Sequence, residues 1–115
     1  IFQAIQEAGI VALETEDGVQ SRIRETYQER RDALYDGLRG MGLEVLRPKA
    51  SFYLLTRVPS GFDSSGFVAH VLKKAGVMCT PGVGFGAPGE GFVRFALTVP
   101  VERISEAVER IKKSL

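Results

Sequence analysis

Tryptophan is absent from this chain, and cysteine and histidine occur once each, as Cys79 and His70. A lone thiol excludes an internal disulfide, and one histidine with one cysteine gives no basis for a zinc site of the usual ligand set. Charge of one sign is also lacking: 15 basic against 14 acidic residues leave a formal net charge of +1, with no electrostatic footprint for nucleic acid or an anionic membrane. No apolar run approaches the roughly 20 residues that span a bilayer. The opening Ile1-Phe2-Gln3-Ala4-Ile5-Gln6 lacks the basic and then apolar layout of a secretory signal. These absences lead to the expectation of a cytoplasmic protein with neither nucleic acid nor membrane as a partner.

What is present is ordinary for a globular domain: 115 residues, 44% hydrophobic and 25% charged. That length suits one core and leaves little for a second. Methionine does not stand at position 1, and an amphipathic helical pattern is already under way at Phe2, Ile5, Ala8, Ala12 and Leu13. The expectation is a piece of a longer protein.

Asp17-Gly18 marks a break, after which Val19, Ile23, Tyr27, Leu34, Leu38 and Met41 trace one apolar stripe along a long helix. The interleaved charges on its other faces, from Arg22 to Asp32, read as a solvated surface with helical ion pairs. Gly40-Met41-Gly42 ends that helix, and 43–46 alternates as a short strand. A clearer strand covers 52–58 and stops at Pro59-Ser60-Gly61. Asp63 or Ser64 caps a helix with Phe67, Val68, Val71, Leu72 and Ala75 on one face, closed by Gly76. Val77-Met78-Cys79 reads as a short strand and 92–97 as another. Pro100 opens a last helix with Ile104, Ala107, Val108, Ile111 and Leu115 inward. This order predicts an α+β fold, an α/β two-layer sandwich: a small, largely antiparallel sheet with helices on one face.

The densest feature is the stretch 81–91, rich in glycine, leading into a strand with an arginine at its middle. Period-two alternation puts Val93, Phe95 and Leu97 on a core face and turns Arg94 away from it. A guanidinium there presents a planar fork that can bind a carboxylate through two parallel hydrogen bonds. The alternative is a structural ion pair with Glu90 or Glu102. Gly84-Phe85-Gly86-Ala87-Pro88-Gly89 matches the G-x-G-x-x-G pattern of dinucleotide sites, but a strand rather than a helix follows it, so the phosphate-binding geometry is lacking. His70 falls off the apolar stripe of its helix and reads as a surface residue, with no triad partner at a suitable spacing. Cys79, in an apolar stretch, reads as a buried inert thiol. Lys49 stands beside a turn, but nothing nearby desolvates it or supplies a second cation for Schiff-base chemistry.

Taken in order, Phe2-Gln3-Ala4-Ile5-Gln6-Glu7-Ala8, Tyr27-Gln28-Glu29-Arg30-Arg31-Asp32 with Leu38, Pro48-Lys49-Ala50-Ser51-Phe52-Tyr53, Ala75-Gly76-Val77, Thr80-Pro81-Gly82, Phe85-Gly86 and Gly89-Glu90-Gly91 with Val93-Arg94-Phe95-Ala96 form a specific series. Over nearly its whole length the chain resembles the C-terminal part of the class I aminotransferases, fold-type I pyridoxal phosphate enzymes. The wording around the glycine-rich loop looks most like LL-diaminopimelate aminotransferases and their close relatives. The resemblance implies that 1–41 is a helical segment with a long interdomain helix and that 42–115 is the small C-terminal domain. It implies that Arg94 grips the substrate carboxylate, with Phe52, Tyr53, Gly82 and Phe85 walling the active-site cleft. Many relatives carry two glycines where this chain has Ala50-Ser51.

The same resemblance implies an intact homodimer acting on amino-acid and 2-oxo-acid substrates. In such an enzyme pyridoxal phosphate is held by a large domain of the same chain, upstream of Ile1. The lysine carrying the cofactor, the aspartate at its pyridine nitrogen and its phosphate ligands have no counterpart here, so no cofactor and no catalytic residue are expected in this piece, which is expected to be inactive alone. Two other readings stay open on the residues themselves: a free-standing module that binds a small carboxylate or regulates, and a structural fragment in which Arg94 pairs internally.

Overall fold

The computed structural model describes residues 1–15 and 18–115. The elements run α1 (Gln3–Glu14), α2 (Val19–Gly40), β1 (Val45–Leu46), β2 (Tyr53–Arg57), α3 (Ser64–Ala75), β3 (Thr80–Pro81), two 3-10 turns (Gly82–Phe85 and Ala87–Gly89), β4 (Phe92–Ala96) and α4 (Val101–Lys112). The strands form one antiparallel sheet in the order β1-β2-β4-β3. The fold is α+β, as the order of periodic segments predicts.

Several helix boundaries have a local cause. Asp63 is the residue that caps α3, its Oδ1 accepting from Gly66 N–H at 2.6 Å, and Gly76 closes the helix in the left-handed region at φ 64°. Pro100 precedes α4, where its missing N–H costs nothing. Along α4 Glu106 pairs with both Arg103 and Arg110 one turn to either side. Of the break read at Asp17-Gly18, Asp17 lies outside the described residues; Gly18 takes φ 77° just before α2.

One core joins sheet and helices. Leu54, Val93, Phe95 and Leu97 meet Leu34 and Leu38 of α2, Phe67, Val71 and Ala75 of α3, and Ile104, Val108 and Ile111 of α4. Burial of this set is the main driving force for the fold, at about 1.5–3 kcal/mol for each large apolar side chain. Gly37 lets α4 approach α2: a Cβ there would stand 2.6 Å from Val108 Cγ1.

Several expectations need correction, among them Leu72 and Leu115, read as facing inward but 48% and 53% exposed. The strand expected at 77–79 lies further on, at Thr80 and Pro81, which pair with Arg94 and Val93. The left-handed cap at Gly76 redirects the chain, so Cys79 drops into the core while Met78 stays exposed. Proline suits this edge strand because no ladder donor is required of it. The stripe on α2 is buried only at its C-terminal end, since Val19 and Ile23 are exposed beyond the reach of the sheet. His70 is half-buried rather than free on the surface: its Nε2 donates to the Ser114 carbonyl at 2.8 Å and its ring lies against Phe62. That bond ties α3 to the C-terminal end of α4.

α1 contributes nothing to this core. None of its residues is buried, and Phe2 and Leu13 are 84% and 83% exposed.

Candidate functional site

Alternation along β2 and β4 builds the face opposite the core. Antiparallel register sets Leu55 against Arg94, Tyr53 against Ala96 and Arg57 against Phe92, so these side chains share the outer face. β3 brings Thr80 alongside Arg94 from the other flank.

Arg94 is clamped. Its Cζ lies 3.9 Å from the Tyr53 ring centroid and 4.3 Å from that of Phe85. A guanidinium held by two aromatic rings keeps its in-plane N–H groups as the donors for an anion. Neither carboxylate named as a structural partner pairs with it. Glu90 accepts instead from Ser64 and Gly91, and among the described residues no carboxylate forms an ion pair with Arg94. The fork therefore stays available to an anion from outside.

The clamp continues toward α2. Phe52 packs on Tyr53 with centroids 4.5 Å apart, Tyr27 of α2 lies 6.0 Å from Phe52, and Arg30 Cζ sits 5.2 Å from the Tyr27 ring. Arg30 also donates to the Leu97 carbonyl at the end of β4, at 3.1 Å. Sequence reading found Phe52 and Tyr53 but missed Tyr27 and Arg30 as members of this row. The signal for them was only their position on the stripe and flank of α2.

The glycine-rich loop brings Phe85 to Arg94 from the other side of the row. Gly82 is buried, and a Cβ on it would lie 2.7 Å from the Phe92 carbonyl oxygen and against that of Gly89; Gly89 in turn has no room for a Cβ beside Gly82. These two glycines are packed backbone to backbone, which is the use of glycine here. Gly84, Gly86 and Gly89, the three glycines of the dinucleotide-like pattern, lie in or beside 3-10 turns that lead into β4. No helix N-terminus receives a pyrophosphate at this loop.

Arg94 is half-buried on the outer face of the sheet. Concavities lie beside other parts of the molecule. One is a groove of about 450 Å³ between α2 and the 48–52 segment, lined by Arg24, Tyr27, Arg31, Lys49 and Phe52. Beside it Ser51 takes φ 76°, the one non-glycine residue with positive φ among the described residues. Glycine adopts this conformation without strain.

The residues present do not fit a pyridoxal phosphate. All five lysines, Lys49, Lys73, Lys74, Lys112 and Lys113, are exposed, so none is the desolvated amine that a Schiff base requires. Cys79 is buried, which pushes its thiol up to about 11 and leaves it protonated and inert.

A model of the family described as aminotransferase class I and II matches residues 2–111. The LL-diaminopimelate aminotransferase of Aquifex aeolicus is 48% identical over 111 residues, covering 96% of this chain and 29% of that protein. That of Halothermothrix orenii is 51% identical over 114 residues, covering 99% and 29%. Among solved structures, an aromatic aminotransferase from Pyrococcus horikoshii superposes with a TM-score of 0.86 at 36% identity, over 95% of this chain and 30% of that one. A probable N-succinyldiaminopimelate aminotransferase from Thermus thermophilus gives 0.83 at 39% identity, over 93% and 28%. The chain spans about 29% of the length of the curated relatives it matches. With a four-stranded antiparallel sheet, an arginine at its centre and a family match along nearly its whole length, the chain belongs to the class I and II aminotransferases.

Proposed function

We propose that this chain is the C-terminal, substrate-gripping part of a pyridoxal phosphate-dependent aminotransferase that moves an amino group between an amino acid and a 2-oxo acid. The amino acid is LL-diaminopimelate or one similar to it, in keeping with the names of the relatives. In this reading the intact enzyme is a cytoplasmic homodimer, and the cofactor is held by the rest of the protein. Residues 42–115 form the small domain, and 1–41 carry the long helix that joins it to the large one. The piece by itself is inactive.

One observation carries the reading: Arg94 is held in an aromatic clamp and, among the described residues, no carboxylate forms an ion pair with its fork. An arginine placed for a structural ion pair would have its partner within reach, and Glu90 is turned elsewhere. In the proposed role the guanidinium takes the substrate carboxylate through two parallel N–H···O bonds, which fixes two points of the substrate and so the direction of its Cα substituents. Tyr53 and Phe85, whose ring centroids both lie within 4.3 Å of its Cζ, lower the local dielectric around the fork and so strengthen those bonds. Cofactor chemistry supplies the electron sink; this chain supplies binding and orientation.

The test is an absorbance titration with pyridoxal phosphate, followed by borohydride, on the 115-residue chain and on the full-length protein. The expected result is a cofactor fixed by reduction in the full-length protein alone. If neither protein retains it, the transaminase reading fails and the free-standing carboxylate-binding module replaces it. Arg94→Ala in the full-length enzyme is expected to lower kcat/KM by about 100-fold or more, the loss of a charge-assisted bidentate pair.

A further inference from the structure

Phe85 is 57% exposed, yet it covers the fork of Arg94 from one side. A ring so exposed has little packing of its own to keep it there, so its place must come from the loop that carries it. That loop is pinned at two points. The first is the backbone contact between Gly82 and Gly89. The second is Glu90, whose Oε1 accepts from Ser64 N–H at 2.7 Å and from Gly91 N–H at 2.8 Å, while Oε2 accepts from Ser64 Oγ at 2.9 Å.

Ser64 is a firm anchor. It is fully buried at the first position of α3, and the Asp63 cap bonds Gly66, leaving the Ser64 N–H for another acceptor. Glu90 fills that place from across the loop. It stands where the second 3-10 turn passes into β4, between Phe85 and Arg94 in the chain. At Gly91 the chain turns with φ 80°, and its carbonyl accepts from Val58 N–H at 2.9 Å, so the entry to β4 is fixed on both sides.

We propose that Glu90 is a positioning residue for the anion site: by tying the loop to α3 it holds Phe85 over the Arg94 guanidinium and sets the direction of the fork. Its carboxylate touches neither the substrate nor Arg94. The inference rests on the proposed carboxylate role of Arg94 and extends it to a residue that reads, in the sequence, only as a rival ion-pair partner. The lowered pKa of Glu90, caused first by the Ser64 N–H and then by the Gly91 N–H and the Ser64 hydroxyl, agrees with a carboxylate kept charged by this duty.

The test uses the full-length enzyme loaded with pyridoxal phosphate and the variants Glu90→Ala, Glu90→Gln, Ser64→Ala, Phe85→Ala, Arg94→Ala and the pair Glu90→Ala/Phe85→Ala. Glu90→Ala is expected to raise the KM for the amino acid by roughly tenfold, with a smaller change in kcat, because the clamp is lost and not the chemistry. Glu90→Gln keeps an acceptor for both backbone N–H groups and is expected to recover most of the loss. The double variant is expected to be no worse than Phe85→Ala alone, since both substitutions remove one ring from one fork. Ser64→Ala, which leaves the backbone bonds in place, is the milder probe should Glu90→Ala fold poorly; a KM rise of a few fold is expected from its lost hydroxyl bond. Additive effects of Glu90→Ala and Phe85→Ala, or an unchanged KM in both Glu90→Ala and Ser64→Ala, overturn the inference while leaving Arg94 in place. An unchanged KM in Arg94→Ala overturns the carboxylate reading itself.

Discussion

Replacing Gly37 by alanine tests the helix contact on which the rest of the domain is mounted. Alanine in a helix interior is favoured over glycine by about 1 kcal/mol, so on propensity alone the change would stabilise. Geometry opposes this. The new Cβ would meet Val108 Cγ1 and Cγ2 at 2.6 and 2.7 Å and Val108 Cβ at 3.2 Å. Rotating χ1 of Val108 moves the methyls but not the Cβ, and valine in a helix has one strongly preferred rotamer. Overpacking of this kind costs about 1–3 kcal/mol, so against the propensity gain the net expectation is a loss of up to about 2 kcal/mol, centred near 1 kcal/mol or roughly 5 °C in Tm for a domain of this size. Gly40, one turn further along α2, has nothing within 4 Å of its would-be Cβ. The same substitution there is expected to gain about 0.5–1 kcal/mol. Urea and thermal unfolding of both variants measure the difference. Val108→Ala in the Gly37→Ala background is expected to cost less than the two single changes added together. A Gly37→Ala that stabilises as much as Gly40→Ala would refute the α2–α4 contact as described.

Further outcomes follow from other features of the chain. Ser51→Gly removes a side chain from φ 76° and is expected to stabilise by about 1 kcal/mol, read from the urea midpoint. Cys79, buried and protonated, is expected to resist an aromatic disulfide reagent in the native protein and to react at once in denaturant; equal rates in both would contradict its placement in the core. Glu90 has a folded pKa below its ordinary 4.5, so its stabilising contribution is complete above that pH and is lost as the pH falls through the folded value. Unfolding midpoints followed into the acid range should therefore fall less steeply for Glu90→Gln than for the parent chain.

Much of the architecture was legible in the residues. The alternation through Val93, Phe95 and Leu97 assigned β4 and its core face, and therefore the direction of Arg94. The periodic stripes of α3 and α4 located those helices, because a local pattern of 3.6 residues records which side of a helix must be buried. The family was legible too, since it is carried by an ordered series of motifs along the chain. What pattern could not record is how separate segments meet. That the N-terminal half of α2 runs past the sheet, leaving Ile23 exposed, depends on where β1 and β2 end in space. That Glu90 serves Ser64 and not Arg94 depends on a loop folded back onto α3, and that Tyr53 and Phe85 meet at one guanidinium while Phe52 and Tyr27 extend the row toward Arg30 depends on strand register and the seating of a helix. Local periodicity follows from the geometry of a single element, so the sequence by itself determined the helices, the central strands β2 and β4, the core face of β4 and the arginine that faces outward. The partners of that arginine come from residues as far as 41 positions away in β2, and only the tertiary structure could choose between an ion pair and an open fork.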